Sequence, residues 1–200
     1  GTDGGRGWND GPVATARLDK PGGVAVDTAG NVYFTDNASH TLRRLSASGV
    51  VSTLAGFAGF AGNLDGAGAA ARFNGPAGVA VDGTGIVYVA DGANCTIRRV
   101  NPSGVVTTLA GNPGECGWRD GTGNGALFSW PYGLAVESGG SLLVADSANS
   151  RIRRVTPDGT VTTLRDAGGA EASFPGVRAV AIDATGDVYA TGGSTILRLS

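Results

Sequence analysis

The chain has 200 residues, 15 basic and 17 acidic side chains, a formal charge of -2 and 36 glycines. That balance provides no cationic footprint for nucleic acid or an acidic membrane surface, and no apolar run is long enough to span a bilayer. So many glycines argue for tight turns in an all-β chain, and the length suffices for one domain with a sizeable core.

In chain order, residues 1–17 are a connector. Its Gly7-Trp8-Asn9-Asp10-Gly11 matches Gly62-Asn63-Leu64-Asp65-Gly66 and Gly117-Trp118-Arg119-Asp120-Gly121. The same period of 55 residues superimposes Pro21, Pro76 and Pro131, and Asp36, Asp91 and Asp146. A fourth copy is shorter, with Phe174 following Phe128 by 46 residues, and it ends at Ser200 before its last segment. A long-period repeat governs architecture ahead of local propensity, so the units are read as 10–56, 65–111, 120–165 and 166–200, the last incomplete. The connectors are longer than ordinary loops. Their recurring Phe73 and Phe128 are expected to anchor them, and Asp10, Asp65 and Asp120 to cap turns. Calcium at those aspartates is the alternative, but one Asp among glycines supplies too few oxygens. Trp8 and Trp118 are expected to pack; a carbohydrate-stacking patch with Trp130 is the other reading.

Within the second unit, Gly78–Val81 is an apolar run closed by Asp82-Gly83-Thr84-Gly85. Ile86–Ala90, Thr96–Val100 and Val105–Leu109 follow as β-branched segments, separated by Asp91-Gly92-Ala93-Asn94 and Asn101-Pro102-Ser103-Gly104. Four short strands joined by tight turns make an antiparallel meander. Segments such as GVAVD, IVYVAD and LLVAD are apolar almost without alternation, so both sheet faces must be covered. Neighbouring copies are the available cover. Radial packing of four-stranded units, a β-propeller, achieves this with short outer edges. A linear solenoid would ordinarily use shorter repeats.

The segments KPGGVAVDTAGNVYFTDNASHTLRRL, GPAGVAVDGTGIVYVADGANCTIRRV and WPYGLAVESGGSLLVADSANSRIRRV resemble NHL-type propeller repeats. The resemblance implies a propeller, commonly of six blades. The fourth copy departs from the pattern: Gly192 replaces the repeated Asp and Leu197 the first Arg. Gly1 aligns with Gly56 just after a fourth strand, and Ser200 falls after a third strand. The expectation is therefore an incomplete portion of a larger ring. The remaining blades would come from the same precursor or another chain, with closure by four blades alone as the alternative.

Asp36, Asp91 and Asp146 precede paired arginines at fixed distance. Adjacent strand positions face opposite ways, so one Arg of each pair must meet the neighbouring sheet and needs an acid there. The expected structural partners are Arg44, Arg99 and Arg154. Repetition matched by acids argues against a phosphate-binding ring of arginines. Cys95 and Cys116, both expected in exposed loops, would close a loop of about 20 residues and restrict the unfolded chain by ~3 kcal/mol as a disulfide. Two reduced thiols are the alternative. Asn37 and Asn94 each begin an Asn-x-Ser/Thr triplet, a possible glycosylation site. Together these point to an extracellular or cell-surface location.

His40 is the one histidine, and no set of zinc ligands or nucleophile with a nearby base can be assembled around it. No cofactor or metal is expected. The chemistry points to a non-catalytic extracellular binding or structural module of a larger protein, contacting protein or carbohydrate, without nucleic acid or membrane insertion. The alternative is a fragment of a propeller lyase or hydrolase whose catalytic residues lie elsewhere.

Overall fold

The computed structural model describes residues 5–165 and 168–199, so the first four residues of the opening connector, the first two of repeat four, and Ser200 lie outside it. The chain forms four antiparallel sheets. The first contains β1 (Gly11–Pro12), β2 (Pro21–Val26), β3 (Val32–Asp36), β4 (Thr41–Leu45) and β5 (Val50–Ala55). The second contains β6 (Gly66–Ala67), β7 (Pro76–Val81), β8 (Val87–Asp91), β9 (Thr96–Val100) and β10 (Val105–Ala110). The third contains β11 (Gly121–Thr122), β12 (Pro131–Val136), β13 (Leu142–Asp146), β14 (Arg151–Val155) and β15 (Thr160–Thr163). The fourth is three-stranded: β16 (Val177–Ile182), β17 (Val188–Gly192) and β18 (Thr195–Leu199).

The four-strand expectation is corrected in one respect. Each full sheet gains a two-residue edge strand from its connector, in the order β1-β5-β4-β3-β2 and its two equivalents. Gly11 and Pro12 pair with Val51 and Val50, and Gly121 and Thr122 with Val161 and Thr160. A connector that forms a strand satisfies an edge otherwise open to intermolecular pairing.

Two compact units partition the chain. One runs through Val89 and takes in Arg98–Thr107; the other comprises Ala90–Ile97 and the described residues from Thr108 onward. In the first unit, Tyr33 and Leu42 pack against Phe73, Val79, Val87 and Val89. In the second, Leu143, Ala145 and Ile152 pack against Phe174, Val177 and Val180. All five residues of β13 are buried, which is why its sequence does not alternate.

Within each unit, the opening strands of consecutive sheets approach backbone to backbone. A Cβ on Gly23 would lie 2.8 Å from the Ala77 carbonyl, and one on Gly133 would lie 2.5 Å from the Arg178 carbonyl. β2, β12 and β16 also share a register shift after their first residue, which kinks each strand at its start.

Candidate functional site

The connectors carry most of the exposed aromatic surface, and a repeated arginine clamp holds them. The structure corrects the arginine assignment. The fully buried residues are Arg43, Arg98 and Arg153, not Arg44, Arg99 and Arg154. On β14 the buried position is Arg153, opposite Val144, and the exposed one is Arg154, opposite Leu143. Arg153 donates from Nη1 to Asp146 (2.9 Å) and from Nη2 to Asp120 (2.7 Å). The same two nitrogens also reach the carbonyls of Leu127 (2.9 Å) and Arg119 (3.0 Å). Arg43 does likewise with Asp36 (3.2 Å) and Asp10 (2.7 Å), and Arg98 donates to Asp65 (2.7 Å). Asp91 accepts from the Asn94 amide at 2.7 Å.

Asp10, Asp65 and Asp120 are therefore ion-pair partners rather than turn caps, and each arginine pins both ends of a connector. Phe73 and Phe128 anchor from beneath, with the Arg98 and Arg153 guanidinium carbons 5.3 and 5.2 Å from their ring centres. Burial pushes the Asp146 carboxyl above its ordinary value against donation from Asn149, Ser129 and Arg153. At Asp120 burial acts the same way but loses to donors from Thr163 and Arg153, leaving that carboxyl below the ordinary value.

The displaced arginines have other partners. Arg154 makes a two-pronged contact with Glu137, at 2.8 Å on each oxygen. Arg44 lies opposite Tyr33 in register. Tyr33 and Tyr88 donate to Asp27 (3.1 Å) and Asp82 (3.2 Å), and Tyr189 to Asp183 (3.2 Å). Only the third repeat replaces that Asp and that Tyr, by Glu137 and Leu143.

Three equivalent turn residues, His40, Cys95 and Ser150, share a left-handed backbone with φ of 59°, 58° and 53°. From this position Cys95 bonds Cys116, with Cα atoms 5.4 Å apart. Cys95 is completely buried, correcting the exposed-loop expectation, while Cys116 is exposed. In the first repeat His40 Nδ1 instead accepts from the Gly75 N–H at 3.1 Å, and burial holds its pKa below the ordinary value. Both contacts tie a turn to a connector.

Neither glycosylation asparagine presents an open amide. Asn94 is buried and its Nδ2 donates to Asp91; Asn37 Nδ2 donates to the Pro76 carbonyl at 3.0 Å.

The tryptophans are about half exposed, so packing alone does not describe them. Trp118 lies under Arg151 at 4.8 Å and donates to Thr163. In the first unit Phe57 and Phe60 pack in a tilted pair, ring centres 5.0 Å apart and planes at 48°, with Arg72 over Phe57 at 4.9 Å. Phe60 remains 60% exposed and Leu64 58%. Among the described residues no group of three or more metal-binding side chains converges, and no helix is long and apolar enough to cross a membrane.

The family model described as the Teneurin NHL domain matches residues 61–116, and that of the NHL repeat matches 128–155. Protein SUPPRESSOR OF QUENCHING 1, chloroplastic, of Arabidopsis thaliana is 34% identical over 160 residues, covering 75% of this chain and 15% of that protein. NHL repeat-containing protein 2 of Bos taurus is 33% identical over 149 residues, covering 67% of this chain and 20% of that protein. The chain thus spans a fifth or less of the length of both relatives. Among solved structures, a streptogramin B lyase superposes with a TM-score of 0.67 at 15% identity, over 98% of this chain and 58% of that one. That likeness is one of fold: antiparallel β-propeller blades, four of them here. With its repeats matched by sequence and its sheets by structure, the chain belongs to the NHL-repeat β-propeller family.

Proposed function

We propose that this chain is a non-catalytic binding module that contacts protein partners, and glycan, through its connector surfaces. The observation that carries the reading is the Phe57–Phe60 ring pair with Arg72 over Phe57, on a connector that also exposes Leu64. Exposed aromatics beside an arginine match the aromatic and arginine enrichment of protein interfaces, and rigid anchoring lowers the ordering cost of binding. Gly62 N–H donates to the Phe73 carbonyl and Gly59 N–H to the Ser39 carbonyl, holding the excursion at both ends.

The module belongs, in this reading, to a larger ring of about six blades. Support comes from exposed apolar side chains on sheet faces, Val24 and Val26 on β2 and Ile196 on β18, where a further sheet would cover them. The Cys95–Cys116 bond supports a secreted or surface location, because such bonds persist outside reducing compartments. No residue observation favours the lyase or hydrolase alternative: the one histidine is a neutral turn acceptor.

Affinity capture with the chain as bait against surface and secreted proteins, followed by titration of each captured protein, tests the binding role. Replacing both phenylalanines (Phe57→Ser with Phe60→Ser) is expected to weaken a true partner at least tenfold, about 1.4 kcal/mol. Unchanged affinity for every captured protein would overturn the assignment of this surface.

A further inference from the structure

We infer that Trp130, Tyr132 and Arg178 form a subsite for an acidic sugar, a uronic-acid ring. The inference rests on the glycan half of the binding reading and places it at residues separate from the Phe57–Phe60 surface. The three side chains line a cavity of about 240 Å³ together with Ser147, Ala148 and Gly176.

At Trp130 the fold imposes the backbone conformation but not the side chain. Trp130 has φ of 54°, and the equivalent Lys20, Gly75 and Gly176 have φ of 58°, 59° and 73°. Every repeat thus turns left-handed just before its opening strand. Glycine adopts this conformation without penalty and stands there in the second and fourth repeats, whereas a bulky residue there is an outlier. The third repeat places a tryptophan at this costly position and leaves it 50% exposed, so core burial does not offset the strain.

The neighbours give the exposed indole a chemistry. The Arg178 guanidinium lies 5.6 Å from the Tyr132 ring centre, and no acidic side chain among the described residues pairs with it. An aromatic plane, hydroxyls on Tyr132 and Ser147, and one cation fit a flat, hydroxyl-rich ring bearing one carboxylate. A nucleic-acid strand would require a track of cations, which a chain of formal charge -2 lacks beside this single arginine. The cavity's size fits a single ring better than an extended acidic peptide.

The test titrates trigalacturonate, neutral galactose, poly(U) and a phosphoserine peptide into the chain by calorimetry and ligand-observed NMR. Trigalacturonate is expected to bind in preference to galactose. Trp130→Gly, which installs the residue of the second and fourth repeats, is expected to keep the melting temperature and to weaken binding at least tenfold. Arg178→Gln is expected to remove the preference for the acid while leaving weak neutral-sugar binding. The Phe57→Ser/Phe60→Ser variant is expected to bind trigalacturonate unchanged, so this subsite and the protein-contact surface fail independently. The subsite is overturned if trigalacturonate does not bind, if Trp130→Gly binds it as well as the parent does, or if poly(U) or the phosphopeptide is preferred.

Discussion

Arg153 reaches Asp120 across 33 positions of sequence, its Nη2 donating to Oδ1 at 2.7 Å, while Nη1 of the same guanidinium holds the fully buried Asp146. One side chain therefore joins the core of a sheet to the connector that leads into it. Removing it with Arg153→Met leaves the Asp146 charge buried, a situation that costs about 3–5 kcal/mol. Adding Asp146→Asn to that variant is expected to recover part of the loss. A double-mutant cycle read by urea denaturation checks this, and additive effects of the two changes would refute the coupling. The fourth repeat has made the paired change, with Leu197 for the Arg and Gly192 for the Asp.

The sheets were legible in the sequence because turn residues recur at one period and apolar runs lie between them. The fifth, two-residue strand was not: Gly11–Pro12 and Gly121–Thr122 have no strand-like composition, and their pairing is set by long-range register with β5 and β15. The acid–arginine pairing was legible as a need but not as an assignment. Choosing between Arg153 and Arg154 requires knowing which face of β14 meets the neighbouring sheet, and both flanking residues, Ile152 and Val155, are buried. The subsite at Trp130 was hidden for another reason. Tyr132 and Arg178 stand 46 residues apart, and the packing of β12 beside β16 brings them together.

Replacing both cysteines by serine is expected to cost about 3 kcal/mol, the chain-entropy value for a loop of this length. Ser150 occupies the equivalent left-handed position, so the serine at 95 adds little strain of its own. Equal midpoints in guanidinium, with and without reductant, would show that the bond contributes nothing.

His40 provides a pH readout free of overlap, since it is the one histidine. Burial lowers its pKa, and its Nδ1 accepts from Gly75, so the neutral form with the proton on Nε2 is native. The unfolded chain takes up a proton near pH 6.5 while the native state resists it. Stability is thus present above about pH 6.5 and declines as pH falls toward the lowered native value. Titration by NMR should place the native pKa below 6.5. His40→Asn, which suits the left-handed position, should remove this segment of the stability profile. A native value at or above 6.5 would contradict the buried acceptor role.

The third repeat offers a swap experiment. Asp27, Asp82 and Asp183 each receive a tyrosine hydroxyl, whereas the third repeat has Leu143 in place of the tyrosine and Glu137 takes Arg154 instead. Glu137→Asp alone shortens the reach to Arg154 and should cost less than about 1 kcal/mol, since the pair is partly exposed. Leu143→Tyr alone forces a larger side chain into a fully buried position, an overpacking cost of about 1–3 kcal/mol. Together the two substitutions rebuild the Asp–Tyr pair of the other repeats, so the double variant should be more stable than the sum of the singles by about 0.5–1.5 kcal/mol. At Asp82 burial raises the carboxyl's pKa, but donation from Thr84, Ile86 and Tyr88 outweighs it and the net shift is downward. An Asp at 137 with the same partners would contribute stability above about pH 4 and lose it as pH falls through its depressed native value. Urea midpoints of all four proteins at pH 7 and pH 3 read both effects, and a double variant that is merely additive at pH 7 would show that Asp and Tyr occur together for separate reasons.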